Sequence, residues 1–423
     1  MRKFYYLYIF IFALMFGCED VSQDKNIPNA NLNDRAAPNL SWFKRAAMDI
    51  YMKYSVWSES RSGFVTMFAQ DGQVVHSSAV GWADIESKKP MRIETQMRFA
   101  SMTKPVTAIA ALILVDEGKL QLNDHVASYI PSFGDLRVAV NENKNANGGF
   151  DTRAIEKPLL VKHLLMFSSG IGPGYSNSTD LYKHWMANGI RSHKSGGLAE
   201  RVEKLSQLPL FEEPGSVWRY GSSADVLARV VEVASGQPFD MFLEERIFNP
   251  LGMINTRFLH AVSDHHALAQ VYTQDPNGEL ILAPKRIDSG WNEGGSGLVS
   301  NALDYMRFAL MIWNGGEYDG VRIIPKQMIS DMTSPHIKGG VFARRDIEGL
   351  GWGLGIGVVV KEDATLPGTI GDIFWGGYYG TTFFVSPSTG LVGVILSQNE
   401  MSQYSGGYQT PIYAIQAIAV SGS

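Results

Sequence analysis

Cysteine is almost absent from this chain: among 423 residues the only thiol is Cys18. No intramolecular disulfide can form, and everything beyond Cys18 lacks a thiol nucleophile or a thiolate metal site. Charge is sparse too, at 19% of residues with a net charge of -5. No Lys/Arg-rich block interleaves with aromatics, so the chain has no basic field for a polyanion and nucleic acid is excluded as a partner. Low-complexity tracts are missing as well. What remains is 45% hydrophobic residues, enough for the core of one large domain or of a main domain with an insertion.

The start of the chain is distinctive. Arg2 and Lys3 precede an apolar run from Phe4 to Gly17 that falls short of the roughly 20 residues needed to span a bilayer. A polar stretch follows at once, which marks a secretory signal over residues 1–18. Cys18, preceded by Gly17, resembles the lipobox cysteine of bacterial lipoproteins, although Met15 and Phe16 are bulkier than that pattern prefers. The expectation is an exported chain held to a bacterial membrane, periplasm-facing or at the cell surface, by a lipid on Cys18. Residues 19–38 lack hydrophobic periodicity and read as a flexible tether.

The folded part is expected over residues 39–421. Helical spacing of apolar residues runs from Trp42 to Tyr54. A hairpin follows, with Gly63–Gln70 and Gln73–His76 flanking the turn pair Asp71-Gly72. A helix is predicted from Met102 to Glu117, apolar nearly all round over Ala108–Val115 and so buried. Further helices are predicted at Leu160–Phe167, Ala224–Ala234, Phe239–Phe248 and Ala302–Trp313. Strand patterns return at Gly351–Val360, Gly380–Val385 and Gly390–Leu396, before a closing helix, Ile412–Val420. Strands at both ends predict an α+β fold. One antiparallel sheet is assembled from the termini and flanked by helices, with a mostly helical insertion over about residues 120–300.

Ser101-Met-Thr-Lys104 stands at a predicted helix start. Residues three apart share a helix face, so the Lys104 amine can reach the Ser101 hydroxyl. A serine hydroxyl becomes a useful nucleophile when a neighbouring base takes its proton, and a lysine can be that base. The helix start also offers the Ser101 N–H to a developing oxyanion. The spelling alone is weak evidence, since Ser41-Trp-Phe-Lys44 repeats it beside the tether with nothing else pointing to a site.

The motif gains weight from its company. Phe99-Ala-Ser-Met-Thr-Lys104, His163-Leu-Leu-Met-Phe-Ser-Ser-Gly170, Pro214-Gly-Ser-Val-Trp-Arg-Tyr220-Gly-Ser222, Gly294-Gly-Ser-Gly-Leu-Val-Ser300 and Trp375-Gly-Gly377 occur in that order. Together they resemble the class C β-lactamase-like serine hydrolase family, which includes β-lactamases, penicillin-binding DD-peptidases and family VIII carboxylesterases. The resemblance covers about residues 40–420 and implies the β-lactamase-like fold. It also implies that Tyr220 shares the proton traffic with Lys104. A literal Tyr-x-Asn, the family's second motif, exists at Tyr175-Ser-Asn177. Its Gly/Pro/Ser-rich context does not fit, whereas Tyr220 precedes an amphipathic helix as the family's tyrosine does.

Two departures from the family bear on substrate. Ser222 replaces the asparagine that would bind an acyl amide, which puts recognition of β-lactam side chains in doubt. Trp375-Gly376-Gly377 replaces Lys-Thr-Gly, as in many family VIII esterases, and offers an aromatic wall in place of a cation. The glycines would let the backbone approach the substrate, and the Tyr378 N–H is the expected second oxyanion donor. The resulting expectation is hydrolysis of a small-molecule ester without a cofactor. β-Lactamase or DD-peptidase activity is the alternative within the same chemistry, and a non-catalytic surface binding protein the alternative outside it. Of the other candidates, His163 reads as a helix cap or packing residue and His265-His266 as surface, not metal ligands. Gly294–Ser300 reads as a pocket loop or as a helix entry capped by Ser300. Trp352, Tyr378 and Tyr379 line either the pocket or the core.

Overall fold

The computed structural model of the protein describes residues 40–174, 178–190, 196–284, 290–337, 349–361, 367–400 and 410–421. The expected Cys18 anchor, the tether and the Tyr175–Asn177 motif lie outside them. Helix α1 spans Trp42–Trp57, capped by the Ser41 hydroxyl, which accepts from the Lys44 N–H at 3.3 Å. Strands β1 (Gly63–Gln70) and β2 (Gln73–Asp84) join through Asp71 and Gly72, both at positive φ, as a tight hairpin turn requires. β2 outruns the expected Gln73–His76. β1 is buried along its whole length, so its backbone groups need partners on both edges, and β2 follows it to the Gly63–Gly81 pair.

The chain continues through β3 (Lys89–Pro90), β4 (Met97–Arg98) and a 3₁₀ turn at Ala100–Met102 into α2 (Thr103–Asp116). Later come α3 (Ser223–Ser235), β5 (Arg257–Phe258), β6 (Leu298–Ser300) and α4 (Ala302–Trp313). The chain closes with β7 (Leu350–Trp352), β8 (Gly357–Val359), β9 (Ile373–Gly377), β10 (Thr381–Ser386), β11 (Leu391–Leu396) and α5 (Thr410–Val420).

Several expectations need correction. The single strand expected at Gly351–Val360 is two, β7 and β8. The Leu354 and Gly355 N–H groups donate to Met332 O and Leu165 O, and Gly355 takes a φ of +82° that turns the chain back. Asn301, not Ser300, caps α4; Ser300 ends β6, with its hydroxyl 2.7 Å from Thr256 Oγ1. The helix expected at Phe239–Phe248 is α-helical to Leu243 and then opens into a π turn. Between residues 120 and 300 the helices are joined by short ladders, Arg137–Ala139 with Thr152–Ala154 and Tyr272–Gln274 with Leu280–Leu282. Strands of three residues are too short to show a period of two.

Among the described residues the main sheet has eight strands in the order β7-β8-β9-β10-β11-β1-β2-β3, with antiparallel neighbours throughout. Its centre therefore joins the start of the domain to its end, as strand patterns at both ends of the sequence predict. Neighbouring residues of β10 show which helices lie on which face. Phe383 meets Tyr305 and Phe308 of α4, whereas Phe384 meets Phe68, which in turn meets His76. His76 approaches Asp49 of α1. So α4 covers one face and α1 the other, and α5 packs beside α1. α2, buried from Thr103 to Leu114, packs against α3 in the helical region.

Candidate active site

Ser101 lies in the tight turn that enters α2. The preceding residue, Ala100, has a φ of +46°, a left-handed conformation that costs a residue with a Cβ of order 1–3 kcal/mol. Neighbours hold it there: Thr103 Oγ1 donates to Ala100 O at 2.7 Å, Tyr305 Oη donates to Met102 O at 2.8 Å, and Phe99 N donates to Leu298 O at 2.9 Å. β6 is thus laced to the turn from outside. One turn on, Lys104 points back along the same face, with Nζ 3.2 Å from Ser101 Oγ. It is 5% exposed.

Tyr220 comes to the same point from the loop before α3, with its Oη 2.5 Å from Ser101 Oγ. Lys104 Nζ lies 4.7 Å from the centre of its ring. The loop is clamped by Arg219, buried, which pairs two-pronged with Glu212 and donates to Pro173 O at 3.2 Å. The Arg219 N–H donates to Phe167 O at 2.7 Å, and the Ser222 N–H to Ile171 O at 3.2 Å. Phe167, Trp218 and Trp375 surround the Tyr220 ring at centroid distances of 6.1–6.2 Å. The three residues that sequence motifs single out for chemistry therefore converge on one oxygen.

A second layer behind Lys104 escaped the sequence reading. Lys104 Nζ donates to Gly295 O at 2.6 Å, and the Gly295 N–H donates to Asp225 Oδ1 at 2.9 Å. Asp225, in the first turn of α3, is buried; desolvation raises its carboxyl to about 6, with Glu293 adding to the rise and Arg201, Lys104 and the Gly295 N–H opposing it. Thr107 Oγ1 donates to Gly294 O at 2.7 Å, which pins the same loop along α2. A Cβ on Gly294 would lie 2.3 Å from Ala224 O, so only glycine lets the loop pass between α2 and α3. Whereas the sequence of Gly294–Ser300 suggests a pocket loop or a helix entry, the structure adds that its backbone is the acceptor for the site lysine.

The remaining candidates fall as follows. Trp375 is nearly buried, set edge-on to Trp352 at 4.6 Å and beside Tyr220, so Trp352 belongs to the wall behind Trp375. Trp352 Nε1 donates to Leu165 O at 3.0 Å. Gly377 has a reason of its own: a Cβ there would lie 2.3 Å from Phe99 O, so its lack of a side chain serves the packing of β9 against the Ser101 turn. Gly376 is partly exposed, and Tyr378, just beyond β9, stacks edge-on with Tyr379 at 5.5 Å. Ser222 is buried at the start of α3. His163 caps its helix, with Nδ1 accepting from the Leu160 N–H at 3.2 Å, and burial, with Lys162 and Lys157 nearby, lowers it to about 4. His265 and His266 lie in a short turn without burial. Among the described residues no group of three or more His, Cys, Asp or Glu is placed to hold a metal.

Comparison with known proteins agrees in extent with this architecture. The family model for Beta-lactamase matches residues 45–412. Protein Rv1367c of Mycobacterium tuberculosis is 32% identical over 353 residues, 80% of this chain and 86% of that protein. Esterase EstB of Burkholderia gladioli is 27% identical over 394 residues, 85% of this chain and 92% of its own. Among solved structures, "EstCE1, a hydrolase with promiscuous acyltransferase activity" superposes with a TM-score of 0.74 at 25% identity, covering 89% of this chain and 99% of that one.

Proposed function

The chain belongs to the Beta-lactamase family of serine hydrolases, and on that premise we propose that it cleaves carboxylic esters through an acyl-enzyme on Ser101. The carrying observation is the convergence of Tyr220 Oη, at 2.5 Å, and Lys104 Nζ, at 3.2 Å, on Ser101 Oγ. As Oγ bonds to the acyl carbon, the Tyr220–Lys104 pair takes the seryl proton and delivers it to the departing alkoxide. The same pair then takes a proton from water, whose oxygen attacks the acyl carbon, and returns a proton to Oγ as the acid leaves. The backbone N–H groups of Ser101 and Tyr378 hold the oxyanion. No residue beyond these has to supply redox or metal chemistry for the step to balance.

Ester over β-lactam is favoured by Trp375, where the family's lactamases place a lysine, and by Ser222 in the asparagine's place. An indole wall beside Tyr220 suits an apolar acyl or alcohol group. The name of EstB supports the same choice. The test is a paired rate assay with a short-chain p-nitrophenyl ester and a chromogenic cephalosporin, with Ser101→Ala as control. Ester turnover should dominate and depend on Ser101; dominant cephalosporin turnover, or full ester turnover by Ser101→Ala, overturns the reading.

A second outcome of the same acyl-enzyme is transfer to an alcohol instead of water, favoured by the acyltransferase activity in the name of EstCE1. Adding a primary alcohol to the assay and measuring new ester against free acid separates the two. We further propose that the chain is exported and anchored by a lipid on Cys18, as the signal-like residues 1–18 suggest. Metabolic labelling with a fatty acid, lost in Cys18→Ser, checks this.

A further inference from the structure

α1 has its apolar residues on two sides. Met48 and Met52 are fully buried against the sheet. Yet Phe43, Ile50, Tyr54 and Trp57 fall within about 60° of arc on the opposite side, and all four are exposed, Phe43 to 60% and Trp57 to 77%. Trp42 is exposed beside them, the Tyr54 and Trp57 rings lie 5.9 Å apart, and Ala46 and Ala47 flank the stripe on either side. A surface helix ordinarily turns charge outward; this one turns aromatics outward. Its acidic residue, Asp49, is turned instead towards His76 of β2, 3.7 Å away, while Lys53 is exposed on the flank of the stripe.

The sequence ahead of α1 says what can meet this face. Cys18 and the polar residues 19–38 run directly into it. A polypeptide of 20 residues with coil statistics spans on the order of 25 Å, about the length of α1 itself. A lipid on Cys18 therefore keeps α1, before any other described element, within reach of the bilayer. Trp and Tyr, with an apolar body and a polar edge, prefer the interfacial zone of a membrane, and a flanking lysine suits anionic headgroups.

We propose that the Phe43/Ile50/Tyr54/Trp57 stripe of α1 rests on the lipid surface and sets the orientation of the hydrolase domain above it. This rests on the Cys18 anchor proposed above. Two attachments, lipid and helix face, together fix a pose that a lipid on Cys18 by itself does not.

The experiment uses the full lipidated chain, reconstituted in phosphatidylethanolamine/phosphatidylglycerol vesicles and collected by flotation. Because Cys18 is the only cysteine and carries the lipid, Trp57→Cys takes a single environment-sensitive fluorophore. Glu203→Cys, exposed in the helical region away from α1, is the control, and Tyr54→Cys replaces Trp57→Cys if the latter does not fold. Unchanged ester turnover verifies folding. The expected result is that label at 57 shifts to the blue and loses most of its intensity to brominated lipid, while label at 203 does neither. Floating protein with equal spectra at both positions overturns the proposal and leaves the anchor standing. Protein that does not float overturns both. A blue shift at 57 that grows with protein concentration without vesicles assigns the face to a second copy of the chain and overturns the lipid reading.

Discussion

The chain spells Ser-x-x-Lys three times, at Ser22–Lys25, Ser41–Lys44 and Ser101–Lys104, and the two copies among the described residues end in different chemistry. At Ser41–Lys44 the serine hydroxyl accepts from the backbone N–H three residues on and caps α1, while the lysine ammonium reaches across to Ala419 O at 3.0 Å. At Ser101–Lys104 the side chains themselves meet, at 3.2 Å, with Tyr220 Oη at 2.5 Å and Gly295 O behind the ammonium. Both sit at a helix start, so helical spacing is common ground. The difference lies in what surrounds them: Ser41 is exposed, whereas Lys104 is enclosed by α3, the Gly294–Gly295 loop and the Tyr220 ring. Four residues supply reach; reactivity comes from groups far away in the chain.

The sharpest way to break this comparison is to truncate both serines. Ser101→Ala should lower ester turnover on the order of 10⁴-fold or more, and Ser41→Ala should leave it unchanged; comparable losses in steady-state assays would dissolve the distinction. Next in size is Tyr220→Phe, which removes the oxygen at 2.5 Å and keeps the ring. A loss of roughly 10²–10⁴-fold in kcat is expected, with little change in thermal midpoint, and a kcat within a factor of two would remove Tyr220 from proton transfer.

Asp225→Asn probes the layer that Lys44 lacks. Burial raises the Asp225 carboxyl from 3.8 to about 6, so the folded chain holds a proton that the unfolded chain releases between those values. Wild-type stability should therefore fall as pH rises from about 4 to about 6 and level off above, by at most about 3 kcal/mol. Asparagine can still accept from the Gly295 N–H but does not titrate. Denaturation midpoints of the variant should lack this decline, and parallel pH profiles would exclude an ionising Asp225. The smallest effect is that of Ser41→Ala on stability, about 1 kcal/mol for a lost cap, read as a slightly lower thermal midpoint.

How far the sequence could be read follows the same division. The meeting of Ser101, Lys104 and Tyr220 was legible because two share a helix face and the third has distinctive neighbours. The hairpin turn at Asp71-Gly72 and the strands at both ends were legible from turn chemistry and apolar runs. Asp225 and Gly295 were not, because their bonds to each other and to Lys104 join residues 70 and 191 positions apart, and a lone aspartate in an amphipathic helix looks like a solvated first-turn residue. The break between β7 and β8 was illegible for a like reason, since the acceptors that fold the chain there belong to Leu165 and Met332. At Gly377 the sequence pointed to close approach of a substrate and could not show a second reason for glycine, the room its missing side chain leaves for Phe99 O.

The pairing at the centre of the sheet has a consequence for synthesis. β1 leaves the ribosome among the first parts of the domain, but Val65 must wait for Leu396, on β11, before its second edge is filled. At the usual 5–20 residues per second that interval is roughly 20–60 s, during which a strand destined to be buried on both faces keeps one row of backbone donors and acceptors open. The nascent chain thus carries an open edge on β1 for most of its translation, and a holding factor that covers β1 until β11 arrives should raise the yield of folded enzyme.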